Sequence, residues 1–83
     1  MYGLNKYFAT YMNKLYIAII GIYDENTTEQ IVLKETGVNA INVYEAHKQA
    51  FWKCNVKENQ TVLRILEADT RKLQFDFQKG FTP

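Results

Sequence analysis

The chain has 83 residues, 47% of them hydrophobic and 14% aromatic, with ten Lys+Arg against nine Asp+Glu for a formal charge of +1. That length holds one domain with one core, and the composition excludes a disordered chain. A charge so near zero excludes a whole-molecule field for nucleic acid, so any such site must be a local patch.

In chain order, Leu4, Tyr7, Phe8 and Tyr11 fall at helical spacing, with Leu15 continuing the series. Residues 1–13 are therefore read as an aromatic arm or short helix, ahead of a single domain over residues 14–83. The stretch from Lys14 to Tyr23 (KLYIAIIGIY) is apolar on both parities, the pattern of a central strand covered on both faces or with one face covered by a partner. Gly21 within it marks a bulge or a close approach of another backbone. The apolar part, Leu15 to Tyr23, is about half the length needed to cross a bilayer. No small-x-small cleavage site follows it, so a core strand is expected and not a signal peptide.

Asp24-Glu25-Asn26-Thr27 reads as a turn, after which Ile31 and Leu33 alternate with Gln30, Val32 and Lys34 in a second strand. Thr36-Gly37 is expected to end that strand. A helix follows between Ala40 and Cys54. Asn42 with Glu45 has the spacing of a capping box, with Asn39 as the rival cap and Asn55 suited to the left-handed closing residue. Thr61 to Glu67 makes a third strand with Leu63 and Ile65 on one face. Asp69-Thr70-Arg71 turns the chain, and Leu73, Phe75 and Phe77 alternate with Gln74, Asp76 and Gln78 in a fourth. The order β-β-α-β-β, with the arm as an optional leading helix, predicts an α+β fold. Its expected form is a four-stranded, mostly antiparallel sheet with one long helix across a face.

Parts for catalysis are missing. The chain contains no serine, and its one Cys-His pair, His47 and Cys54, sits seven residues apart on the predicted helix. That spacing is two turns, roughly 10 Å, far beyond the hydrogen-bond reach a nucleophile and base require. One Cys and one His do not make a zinc signature, and the four glycines form neither a phosphate loop nor a dinucleotide turn. The expectation is a protein that is not an enzyme and carries no metal or cofactor. A lone Cys54 fits a reducing cytoplasm better than an oxidising compartment.

The helix carries two stripes at about 100° per residue. Ala40, Val43, Tyr44, His47, Ala50, Phe51 and Cys54 are expected against the sheet, with His47 as an ordinary core or edge histidine and Cys54 as a small buried hydrophobe. Ile41, Glu45, Lys48 and Trp52 line a flank, where Glu45 and Lys48 could pair between the two apolar groups. Trp concentrates at the centres of interfaces, so this stripe is the leading candidate for contact with another protein. The competing reading folds Trp52 over the sheet edge or the aromatic N-terminal arm as a lid on the core. Tyr7, Phe8 and Tyr11 offer a second candidate surface.

The C-terminal half of the chain is the more basic. Lys53, Lys57, Arg64, Arg71, Lys72 and Lys79 are six of the ten basic groups, interleaved with Trp52, Phe75, Phe77 and Phe81. Aromatics flanked by basic groups hold single-stranded nucleic acid, with Arg64, Arg71, Lys72 and Lys79 as its contacts here. Yet Phe75 and Phe77 share the parity of Leu73 and read as core, and Glu58, Glu67, Asp69 and Asp76 dilute the patch.

In small size, Asn/Lys/Ile/Tyr-rich composition and missing catalytic parts, the whole chain resembles the small accessory proteins of bacteriophages and mobile elements. The resemblance is compositional and implies a protein that inhibits or redirects a host protein by occupying its surface. The expected function is thus a non-catalytic protein-binding module, able to assemble with itself through the two-sided apolar strand. The alternative is a weak single-stranded nucleic-acid binder.

Overall fold

A computed structural model describes residues 13–53 and 59–82. The elements are β1 (Lys14–Asp24), β2 (Glu29–Ala40), α1 (Val43–Lys53), β3 (Thr61–Glu67), β4 (Leu73–Asp76) and β5 (Gly80–Phe81). The strands form one five-stranded sheet in the order β2-β1-β3-β4-β5, with every neighbouring pair antiparallel. The expected α+β class and the ββαββ order hold, and the strand count rises from four to five. The extra strand is only two residues long, too short to leave a period in the sequence.

β1 lies between β2 and β3, as its Ile-rich, two-sided sequence predicts. Directly paired residues of antiparallel strands face the same way. On the side covered by α1, Tyr16, Ala18 and Ile20 of β1 meet Val38 and Ala40, Val62 and Ile65, and Phe75. Ala46 and Ala50 close this core from the helix. Two fully buried alanines, with no Cγ to hold the backbones apart, let α1 lie close on the sheet.

Three strands each carry one extra residue, and each inverts the side-chain alternation beyond it. Ile20 pairs with Lys34 while Gly21 pairs with Val32, which leaves Leu33 as a bulge in β2. Ile19 pairs with Arg64 while Ile20 pairs with Val62, making Leu63 the bulge in β3. Ile65 pairs with Phe75 while Leu66 pairs with Leu73, so Gln74 is the bulge in β4. Gly21 sits between the first two. A Cβ there would overlap the Ile31 carbonyl oxygen and come within 2.8 Å of Leu63 Cδ1, so only glycine admits the bulged neighbours. Both readings of Gly21, bulge and close approach, are realised.

These bulges explain several departures from simple alternation. Val62, not Leu63, joins Ile65 in the helix-side core. Leu73 and Phe75 fall on opposite faces, and β4 stops at Asp76, leaving Phe77 exposed in the turn instead of in the core. Ile31, Val32 and Leu33 are all exposed instead of alternating. Nor does β2 end at Thr36-Gly37. It runs on to Ala40, because Val38 and Ala40 pair with Tyr16 and Lys14 and pack beneath the helix.

The β4–β5 hairpin turns over Phe77–Lys79, where Lys79 N–H donates to the Asp76 carbonyl and Gln78 N–H to Asp76 Oδ1. Gly80 follows at φ 88°, the left-handed residue that a three-residue loop of this kind requires. Thr82 then fastens the end of the chain, its hydroxyl donating to the Leu73 and Gln74 carbonyls around the β4 bulge.

Candidate functional site

α1 starts where the sequence places its cap, though at Val43 and not Ala40. Asn42 accepts the Glu45 N–H on Oδ1 at 2.9 Å, and its carbonyl accepts the Ala46 N–H at 3.0 Å. Asn42, not Asn39, is the cap, because Asn39 is still in β2, paired with Leu15. The cap fixes the rotation of the helix, and with it which side chains reach solvent.

The face turned to the sheet is Val43, Ala46, His47 and Ala50, so the expected stripe is corrected at three places. Tyr44 and Phe51 are exposed, and Ala46, absent from that stripe, is fully buried. The two aromatics are too large for the narrow gap that Ala46 and Ala50 define, and they take the flank. At about 100° per residue, Lys48 and Trp52 then point almost directly away from the sheet, with Glu45 beside them. Ile41, one residue ahead of the cap, is exposed as well.

Trp52 is 73% exposed and does not fold over the sheet edge as a lid, while the arm, its other expected contact, lies outside the described residues. Its ring meets Phe51 edge to face at 5.8 Å. Glu45 and Lys48 do not pair, whereas Lys14 and Glu67 form an ion pair at 3.3 Å. The solvent side of α1 is thus a ridge of Ile41, Tyr44, Phe51 and Trp52 around the Lys48 ammonium. Tyr44 and Phe51 are the members that a heptad-style reading misses. The available signal was Val43, Ala46 and Ala50 at spacings of three and four, a small-residue face that suits a sheet.

An aromatic cluster anchors the base of this ridge. Phe81 of β5 lies 4.3 Å from the Tyr44 ring and 4.6 Å from Phe75. His47 stands edge-on to Phe75 at 4.6 Å and to Phe81 at 5.7 Å. Its neighbours are rings, not the carbonyl or Tyr hydroxyl expected of a core histidine. Burial disfavours the charged imidazole and lowers the His47 pKa below its usual 6.5.

The four basic residues of the alternative site do not converge. Arg64 lies in the middle of β3, on the face away from α1, and donates to Gln30 Oε1 of β2. On that face Gly21 stands between the two residues and, having no side chain, leaves the crossing over β1 open. Arg71, at φ 56°, and Lys72 occupy the β3–β4 turn, while Lys79 is in the turn at the other end of β4. Four strand residues separate those ends by about 13 Å.

Tyr7, Phe8 and Tyr11 of the expected arm, and Cys54 and Asn55 at the helix end, lie outside the described residues. Among the described residues no group of three or more His, Cys, Asp and Glu is placed to hold a metal ion. No described helix is long and apolar enough to cross a membrane. The chain matches no protein-family model, no curated protein and no solved structure.

Proposed function

We propose that this chain is a non-catalytic protein-binding module of the cytoplasm that acts by seating the outer ridge of α1 in an apolar groove of a partner protein, so that the partner's surface is occupied. The observation that supports this reading is the inverted packing of α1. Its alanines are buried, while Tyr44 and Trp52 are 60% and 73% exposed beside Ile41 and Phe51. Exposing large rings while burying methyl groups forgoes roughly 1.5–3 kcal/mol per side chain that a core position would have gained. Such a patch of aromatic groups around one cation has the composition of an interface centre. Lys48 at its middle favours a groove that carries a carboxylate.

The test is affinity capture from host lysate with and without nuclease, comparing the wild type with Trp52→Ala and with Arg71→Ala/Lys72→Ala. The proposal expects a protein partner that survives nuclease and about 0.5 M salt (a Debye length of about 4 Å), is lost with Trp52→Ala and is kept with the double variant. A nuclease-sensitive association that ignores Trp52→Ala and weakens steeply with salt would replace it with the nucleic-acid reading.

A further inference from the structure

The two faces of the sheet are covered unequally. α1 lies over Tyr16, Ala18 and Ile20 of β1, so Leu15, Ile17 and Ile19 point to the other side. On that side the half around Gly21 is closed by its own side chains. Arg64 reaches Gln30 over Gly21, the Tyr23 and Phe77 rings meet edge to face at 5.3 Å, and Gln78 Nε2–H donates to the Tyr23 hydroxyl at 3.1 Å. Ile19 is accordingly 7% exposed, and Leu63, which Gly21 faces, is fully buried. The half toward the start of β1 has no such cover among the described residues. There Ile17, Leu66 and Leu73 pair in one row across β1, β3 and β4, each half-buried, and Leu15 beside them is 47% exposed.

We infer that this apolar row is the seat of the segment that precedes β1, residues 1–12, which lie outside the described residues. Leu4, Tyr7, Phe8 and Tyr11 lie across the row as a short helix, and the sheet gains a second covering layer opposite α1. Three observations single out this segment. Its apolar groups recur at spacings of three, one and three, one helical stripe, with Asn5, Lys6 and Thr10 between them to face water. Its length fits the row: a helix rises about 10 Å from Leu4 to Tyr11, and the two strand spacings from Ile17 to Leu73 are also about 10 Å. Its point of attachment fits as well. The segment joins the sheet at Lys14, next to the exposed Leu15. The three residue steps from Tyr11 to Lys14 reach about 10 Å, the height of a packed layer. A segment tethered so near its seat has an effective concentration in the millimolar range, which a second copy or a free partner must match to displace it. Tyr7, Phe8 and Tyr11 then cover the sheet and are not a second protein-contact surface.

This seat and the α1 ridge are on opposite sides of the sheet, so the two proposals fail independently. The experiment is methyl and aromatic NMR of the full chain at about 1 mM and about 20 µM, a range that separates a tethered contact from a weak one between copies. The proteins are the wild type, Tyr7→Ser/Phe8→Ser/Tyr11→Ser and Trp52→Ala. Through-space contacts are expected from the Tyr7, Phe8 and Tyr11 ring protons to the Ile17, Leu66 and Leu73 methyls, unchanged on dilution. The triple variant should lose the ring-current shifts at those methyls and leave Val38 and Val62, on the α1 side, where they were. Trp52→Ala should change neither set. Should circular dichroism show that the triple variant has lost its sheet, Phe8→Leu, which removes one ring and keeps the apolar bulk, serves in its place with the same sign. Absence of the contacts, with the methyl shifts unaltered in the folded variant, overturns the inference. So do contacts that fade on dilution or that arise between differently labelled copies, since either would make a second copy the occupant.

Discussion

Gly21→Ala adds one methyl group at the most crowded backbone position of the sheet. That methyl would overlap the Ile31 carbonyl oxygen and stand 2.8 Å from Leu63 Cδ1. Leu63 could rotate away, but Ile31 presents backbone, and moving it means opening the β1–β2 ladder beside the Leu33 bulge. Overpacking with a backbone shift costs about 1–3 kcal/mol, and a fixed carbonyl places this case at about 3 kcal/mol. A domain of 83 residues has roughly 4–12 kcal/mol in all. At about 4–8 °C per kcal/mol, the unfolding midpoint should fall by roughly 12–24 °C. Gly37→Ala is the matched control, because a Cβ there meets only Leu15 Cδ1, at an ordinary 3.5 Å. It should be neutral or stabilising by about 0.5 kcal/mol through the unfolded chain. Thermal and urea unfolding followed by far-ultraviolet circular dichroism measures both. Equal effects of the two substitutions, or a loss under about 0.5 kcal/mol at Gly21, would refute the steric argument.

Removing the helix cap with Asn42→Ala should cost about 1 kcal/mol in the same unfolding assay, and Asn42→Asp, which keeps the acceptor for the Glu45 amide, should restore most of it. Trp52→Ala should change stability by less than about 0.5 kcal/mol, since the ring is mostly in water; a much larger loss would mean that Trp52 is a structural residue. His47 binds its proton less readily folded than unfolded. Its contribution is therefore fully present above the unfolded value of 6.5 and is lost as pH falls through the lower folded pKa. The unfolding midpoint of the wild type should drop as pH falls below the unfolded value of 6.5, whereas His47→Phe, which keeps a ring against Phe75 and Phe81, should flatten that slope. Equal slopes in the two proteins would contradict the assignment.

The parts of the fold that were legible in the sequence rest on local chemistry. β1 and β3 were bounded by their β-branched runs, Asn42 by its offset from Glu45, and Gly21 by the lack of any other reason for glycine in an apolar strand. What alternation misread traces to the bulges. A period of two carries no information about an extra residue, so Leu33, Leu63 and Gln74 each exchanged the faces expected beyond them. The extension of β2 to Ala40 depends on a pairing partner distant in sequence, Tyr16, whereas β5, two residues paired locally with β4, is too short to leave a period. The helix face was misjudged for another reason. Hydrophobic size pointed to Tyr44 and Phe51 as core, whereas Ala46 and Ala50 fill the middle of the gap between helix and sheet, with Val43 and His47 at its margins. The stripe of Ile41, Glu45, Lys48 and Trp52 was read from spacing alone, and it gained Tyr44 and Phe51 once the rotation of α1 was fixed.

The central claim, that the solvent side of α1 contacts another protein, is tested most directly by photo-crosslinking in cells. A photoreactive side chain would replace Lys48 at the middle of the ridge in one protein and Arg71 in the β3–β4 turn in another. The account predicts a discrete protein adduct at position 48 that disappears when Trp52→Ala is added, and no such adduct at position 71. Adducts confined to position 71, or nucleic acid crosslinked at either position, would contradict it.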